Sequence, residues 1–112
     1  MVGGFTVSGS APKRLLIRGV GPTLLGFGIG TALLDPRLEL FNGPLLIRNN
    51  DDWAGSTPLL DAFRQAGAFP LLTRTSPDAA MIVTLAPGIY TVQLSSVSGA
   101  MGTALLEIYE LP

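Results

Sequence analysis

The chain contains no cysteine and no histidine. The first absence removes disulfides, thiolate metal sites and thiol nucleophiles, and leaves the redox compartment unread. The second removes the commonest general base and the usual zinc ligand, so neither a Ser-His-Asp nor a Cys-His arrangement can be built. Charge is scarce as well. Seven Lys/Arg and eight Asp/Glu give a net charge of −1 and make up 13% of the sequence, about half the usual share. They are scattered singly, so no basic patch marks nucleic acid or an anionic membrane surface as a partner. The longest apolar stretches, such as Leu15 to Ile17 and Ala79 to Val83, fall far short of the ~20 residues a membrane-spanning helix needs. Met1 runs directly into a strand-like segment with no basic n-region or apolar h-region, so any export signal is expected to have been removed or omitted.

What the chain does have is apolar residues, 47% of the total, with a mean hydropathy of +0.47. A lone domain with so few charges exposes too much apolar surface. Either sheets are buried on both faces, or neighbouring copies or domains cover what remains. The 112 residues fit one domain, residues 1–112, with one core. Fourteen glycines and nine prolines punctuate it at turn-like intervals.

Val2 to Ser8 reads as a first strand with Phe5 and Val7 on one side. Lys13 to Val20 follows as a half-buried strand, Leu15 and Ile17 on one face and Arg14, Leu16 and Arg18 on the other. Glycines break Thr23 to Ile29 too often for a regular helix, and its leucines and Phe27 suggest a loop plugging one end of the sandwich. A hairpin follows: Leu38 and Leu40 inward, Arg37 and Glu39 outward, a turn at Asn42-Gly43-Pro44, and a return strand from Leu45 to Arg48. Thr57-Pro58 fits a helix N-cap, Leu59, Leu60, Phe63 and Ala66 form an apolar stripe, and Gly67 ends the helix. Such a helix would lie across an open end or edge of the sheets. Ala79 to Leu85, Ile89 to Ser95 and Thr103 to Tyr109 supply the remaining strands. The expected fold is all-β, a β-sandwich or jelly roll of about seven strands with one short helix.

Four segments carry a resemblance: Gly4-Phe5-Thr6-Val7-Ser8-Gly9, Lys13 to Pro22, Asp35-Pro36-Arg37-Leu38-Glu39-Leu40-Phe41 and Leu85-Ala86-Pro87-Gly88-Ile89-Tyr90-Thr91-Val92. In this order, across nearly the whole chain, they resemble repeated secreted modules of environmental bacteria, verrucomicrobial ones especially. The middle and end are also similar to bacterial pre-peptidase C-terminal domains, β-sandwich appendages of secreted enzymes. The resemblance implies an extracellular or cell-surface location and an accessory or structural role, with calcium binding or substrate engagement as known variations. The repeated modules carry a further strand-like segment before the Gly-Phe motif, where this chain has only Met1 to Gly3. A missing or borrowed edge strand is therefore expected.

With the common catalytic residues absent, a non-enzyme is expected. Asp61 and Asp78, or Glu107 and Glu110, are the carboxylates available for a pair, and each is read as a solvated surface charge. Arg14 and Arg18 have Glu39 or Glu107 as expected cross-strand partners. The dense polar run Asn49-Asn50-Asp51-Asp52, with Asp35 before the same hairpin, offers oxygen ligands for Ca²⁺. It lacks EF-hand spacing, so an Asx-rich turn capped by a buried Trp53 stands beside the metal reading. No other cofactor is expected. Trp53, Tyr90 and Tyr109 could form a stacking platform for polysaccharide. Two functions follow. One is a structural module that self-associates, as a filament subunit at the extreme, through the edges Val2 to Ser8 or Thr103 to Leu111. Its expected contacts are Phe5, Val7, Leu16, Leu46, Leu105 and Tyr109, and its partners are further copies or neighbouring domains. The other is a calcium-assisted carbohydrate- or protein-binding accessory module.

Overall fold

The computed structural model describes residues 1–112. Seven strands form two antiparallel sheets: β1 (Val2–Val7), β6 (Gly88–Ser96), β3 (Pro36–Asn42) and β4 (Leu45–Asn50), in that order, and β5 (Ala79–Leu85), β2 (Lys13–Val20) and β7 (Leu105–Glu110). The all-β expectation holds. Only β3 and β4 are joined as a hairpin within one sheet; every other connection crosses between sheets. The hairpin turns on Gly43-Pro44, with Asn42 paired to Leu45 and Gly43 at φ 57°. Proline cannot take a positive φ, so the turn is of the II′ kind, which needs glycine first.

The sheets face each other across a core of 13 buried residues, among them Leu15, Ile17, Leu38, Leu40, Met81, Val83, Val92 and Leu94. Each such side chain contributes roughly 1.5–3 kcal/mol on burial. The alternation of β2 puts Leu16 and Val20 on its other face, and there the chain departs from a simple sandwich. Leu16, expected to point outward and make contacts, is fully buried. A second core of 11 residues covers it, joining Leu16, Val20 and Ala80 to Trp53, Leu59, Ala62, Phe63 and Leu71. The helix α1 (Thr57–Ala66) thus lies on the outer face of the β5-β2-β7 sheet, not at an open end or edge. Its N-cap is Ser56, whose Oγ accepts from the Leu59 N–H, and not Thr57.

The glycine-broken stretch after β2 winds into a 3-10 helix, Pro22–Phe27, which sends Leu24 into the second core and leaves Leu25 and Phe27 exposed. It therefore seals the helical side and does not plug the sandwich end. Asp78 fixes it in place. This carboxylate, expected on the surface, is fully buried and accepts from Gly21 N (2.8 Å), Thr23 N (3.2 Å), Thr23 Oγ1 (2.6 Å) and Ser76 Oγ (2.7 Å). Gly21 is required at this bend because a Cβ there would collide with the Leu33 carbonyl.

Candidate functional site

Arg18 is the second buried charge. Its guanidinium lies between the Phe63 and Phe69 rings, 4.7 and 4.6 Å from their centroids, and its Nη1 donates to the Phe69 carbonyl at 2.7 Å. Nε sits 2.9 Å from Glu107 Oε1, an ion pair by distance although the N–H is not aimed along a hydrogen bond. Tyr109 donates to the other Glu107 oxygen at 2.7 Å. The expected Arg18–Glu107 pair is present, inside the protein and not on its surface. Burial, then the hydrogen bond to Glu107 and its charge, hold the Tyr109 hydroxyl above its ordinary value of 10.0, with Arg18 pulling the other way. The stability this group contributes is intact below pH ~10 and is lost as pH rises through the raised folded value. In an alkaline melting series the parent chain should lose stability more steeply than Tyr109→Phe; identical slopes would contradict this placement.

The other carboxylates do not converge. Asp61 is exposed beside Arg64 on α1, Glu110 pairs with Lys13 at 3.1 Å, and Glu107 and Glu110 lie on opposite faces of β7. The largest cavity, ≈ 490 Å³, lies between the loops around Ala32 and Ala100 and has no ionisable residue in its lining. Trp53 and Tyr90 are only 3% and 5% exposed, and Tyr109 is half-buried, so the aromatic platform does not exist on the surface. In the polar run, Asn49 and Asn50 are successive strand residues and point to opposite faces. The Asn50 amide accepts from Ala80 N at 3.0 Å and donates to the Asp52 carbonyl at 3.0 Å. Burial, then the charges of Asp51 and Asp35, hold the Asp52 carboxyl above its ordinary value.

What the fold leaves open is strand edge. Two sheets present four edges, and three carry a guard. On β4, Ile47 is an extra, bulged residue, and Arg48 lies opposite the buried Leu40 on the core-side face. On β5, the unpaired Ala80 N–H is capped by Asn50. On β7, Glu107 and Glu110 bring charge. These are the devices by which sheets avoid pairing with other chains. β1, Val-Gly-Gly-Phe-Thr-Val, has no charged side chain, no proline and no bulge.

Its geometry is well defined. Met1 and Leu94 exchange both backbone hydrogen bonds (3.0 and 2.8 Å), so by alternation Gly3, Phe5 and Val7 bond to β6, while Val2, Gly4 and Thr6 point theirs at solvent. Phe5 stacks on Tyr90 at 5.6 Å and Val7 is buried in the core. Across the open side of the sandwich stands β7, and a groove of ≈ 260 Å³ between the two edges is lined by Phe5, Val7, Leu15 and Ile108, with Lys13 and Glu110 at its rim. Of the expected contact residues, Phe5 and Val7 thus flank this seam, Leu105 and Tyr109 lie on the helical face of β7, and Leu46 is exposed on distant β4. The free β1 backbone could not be found from side-chain pattern alone: the run Val2 to Val7 is free of charge, but so is β5, Ala79 to Leu85. No family model, no curated protein and no solved structure matches this chain.

Proposed function

We propose that this chain is a non-catalytic structural module of the extracellular space that associates with copies of itself through the edge of β1. The observation that supports this reading is that β1 alone among the four edges lacks a guard. Exposed aliphatics on the same sheet, Val2 and Ile89 among them, add apolar surface suited to a partner. Proline at Thr6 is the appropriate probe, because the Thr6 N–H faces the free edge and its loss breaks no bond to β6. Sedimentation velocity should show concentration-dependent association of the parent chain and at least about tenfold weaker association of Thr6→Pro, a loss of about 1.4 kcal/mol. A parent chain that stays monomeric at the highest soluble concentration would remove the proposal.

A second reading, a calcium-assisted module binding polysaccharide or protein, draws on Asp35, Asp51 and Asp52. Desolvation raises the Asp52 carboxyl first and the charges of Asp51 and Asp35 add to it; a cation would relieve their share, although the three do not gather into a ready-made ligand cluster. Such a site belongs at the weak, millimolar end of calcium affinities. Millimolar Ca²⁺ should then raise the melting temperature of the parent chain and not that of Asp52→Asn; no shift in either discards this reading.

A further inference from the structure

We infer that the occupant of the β1 edge is the β1 strand of a second copy, antiparallel across a two-fold axis at Gly4. The inference rests on the self-association reading and specifies its partner strand and register. The free hydrogen-bonding residues are Val2, Gly4 and Thr6. An antiparallel self-pairing that uses all three places Gly4 opposite Gly4 and Val2 opposite Thr6. A slip by two residues in either direction leaves one of the three without a partner from that set, and a slip by one turns paired groups toward unpaired ones.

Side chains agree with this register. On the core-side face, Gly3 of one copy falls opposite Phe5 of the other; Leu106 fills the space beside Gly3 and the Phe5 ring stays on Tyr90, so the pair brings no two bulky side chains together at the seam. Gly4 has open space around it, the nearest atom to an added Cβ being the Tyr90 carbonyl oxygen at 3.9 Å. Charge favours β1 over two of the three alternatives. Self-pairing of β7 would bring together strands carrying Glu107 and Glu110, and self-pairing of β4 would bring Arg48 to each side, whereas β1 opposes no charge to itself. β5 is also free of charge, and there the Asn50 amide already occupies the Ala80 N–H. Stable dimers bury ~1,200 Å² or more, and a six-residue strand is only about 20 Å long. The strand edge alone buries less than that, so association through it is expected to depend on concentration. The contact is isologous and closes as a dimer, joining two four-stranded sheets into one of eight.

The absence of cysteine makes the test clean. In the proposed register Gly4→Cys places two thiols about 5.5 Å apart by Cα, within disulfide reach. Two copies of Thr6→Cys would sit more than about 10 Å apart. Mild oxidation should link Gly4→Cys into dimers at least about tenfold faster than Thr6→Cys, and a mixture of Val2→Cys with Thr6→Cys should give the heterodimer. The mixture is an independent check should Gly4→Cys melt early. If the parent chain associates in sedimentation while neither combination links preferentially, the β1–β1 register is overturned and self-association stands. If the parent chain is monomeric and nothing links, both fall.

Discussion

Asp78→Ala should destabilise the protein by about 3–5 kcal/mol. The lost carboxylate leaves the Gly21 and Thr23 N–H groups and the Thr23 hydroxyl proton facing a void, while the Ser76 hydroxyl keeps the Thr73 carbonyl, and each buried orphan costs roughly 1–3 kcal/mol before relaxation. A domain of this size is stable by about 5–15 kcal/mol in all, so the melting temperature should drop by about 15–25 °C. Asp78→Asn should lose only part of this, because its remaining oxygen can still accept from the backbone while the two hydroxyls rotate to accept from the amide. Equal melting temperatures for the parent chain and Asp78→Ala would show that Asp78 does not hold the Pro22–Phe27 turn.

Glu107→Ala should cost a similar amount, about 3–5 kcal/mol, for a different reason. Arg18 would remain buried between Phe63 and Phe69 without its counter-ion, and an uncompensated buried charge is far worse than a missing pair. The double variant Arg18→Met with Glu107→Leu should recover most of the loss, since methionine keeps the stem between the rings and apolar replacement of a buried pair is often neutral or better. A thermodynamic cycle over the four proteins measures the coupling. Additive losses, with the double variant the least stable, would contradict this view of the pair.

Asp78 and Glu107 also mark the limit of local sequence pattern. The strands, the hairpin at Gly43-Pro44 and the helix were legible because alternation, turn chemistry and the Leu59, Leu60, Phe63, Ala66 stripe are local signals. Asp78 and Glu107 are expected as solvated charges because their types are usually exposed; yet Glu107 meets Arg18 89 positions away, and Asp78, besides the nearby Ser76, holds Gly21 and Thr23 at 57 and 55 positions. With all but one strand connection crossing between sheets, pairing is almost wholly non-local and no run of residues announces it. The clue to the third layer was the apolar outer face of the β5-β2-β7 sheet, Leu16 and Val20 beside Ala80 and Ile82, which matched the helix stripe in need of a partner.

The same holds for the candidate site. Val2 to Ser8 was legible as an edge, yet which backbone groups are free depends on the Met1–Leu94 pairing, and the guards on the other edges depend on folding: Asn50 caps β5 only because β4 lies beside it. In the Asn49 to Asp52 run, the Asn50 amide caps the β5 edge at Ala80, a role set by folding that the run itself does not announce. A proline at Val7 would likewise strike an internal bond to β6, so Thr6 is the position that separates assembly from folding. In the proposed β1 register the contact closes on itself, so growth into a filament would need a second contact elsewhere, and the exposed Leu45 and Leu46 of β4 are distant from the first.

Amide hydrogen exchange, read residue by residue as protein concentration rises, tests assembly through β1 most directly. In the isolated chain the Val2, Gly4 and Thr6 amides face water and exchange fast, while Gly3, Phe5 and Val7 are already bonded to β6. Pairing of β1 with a second copy predicts that Gly4 and Thr6 become protected with concentration while Phe5 and Val7 change little. Association observed with no gain of protection at Gly4 and Thr6 would place the contact elsewhere and contradict the central claim.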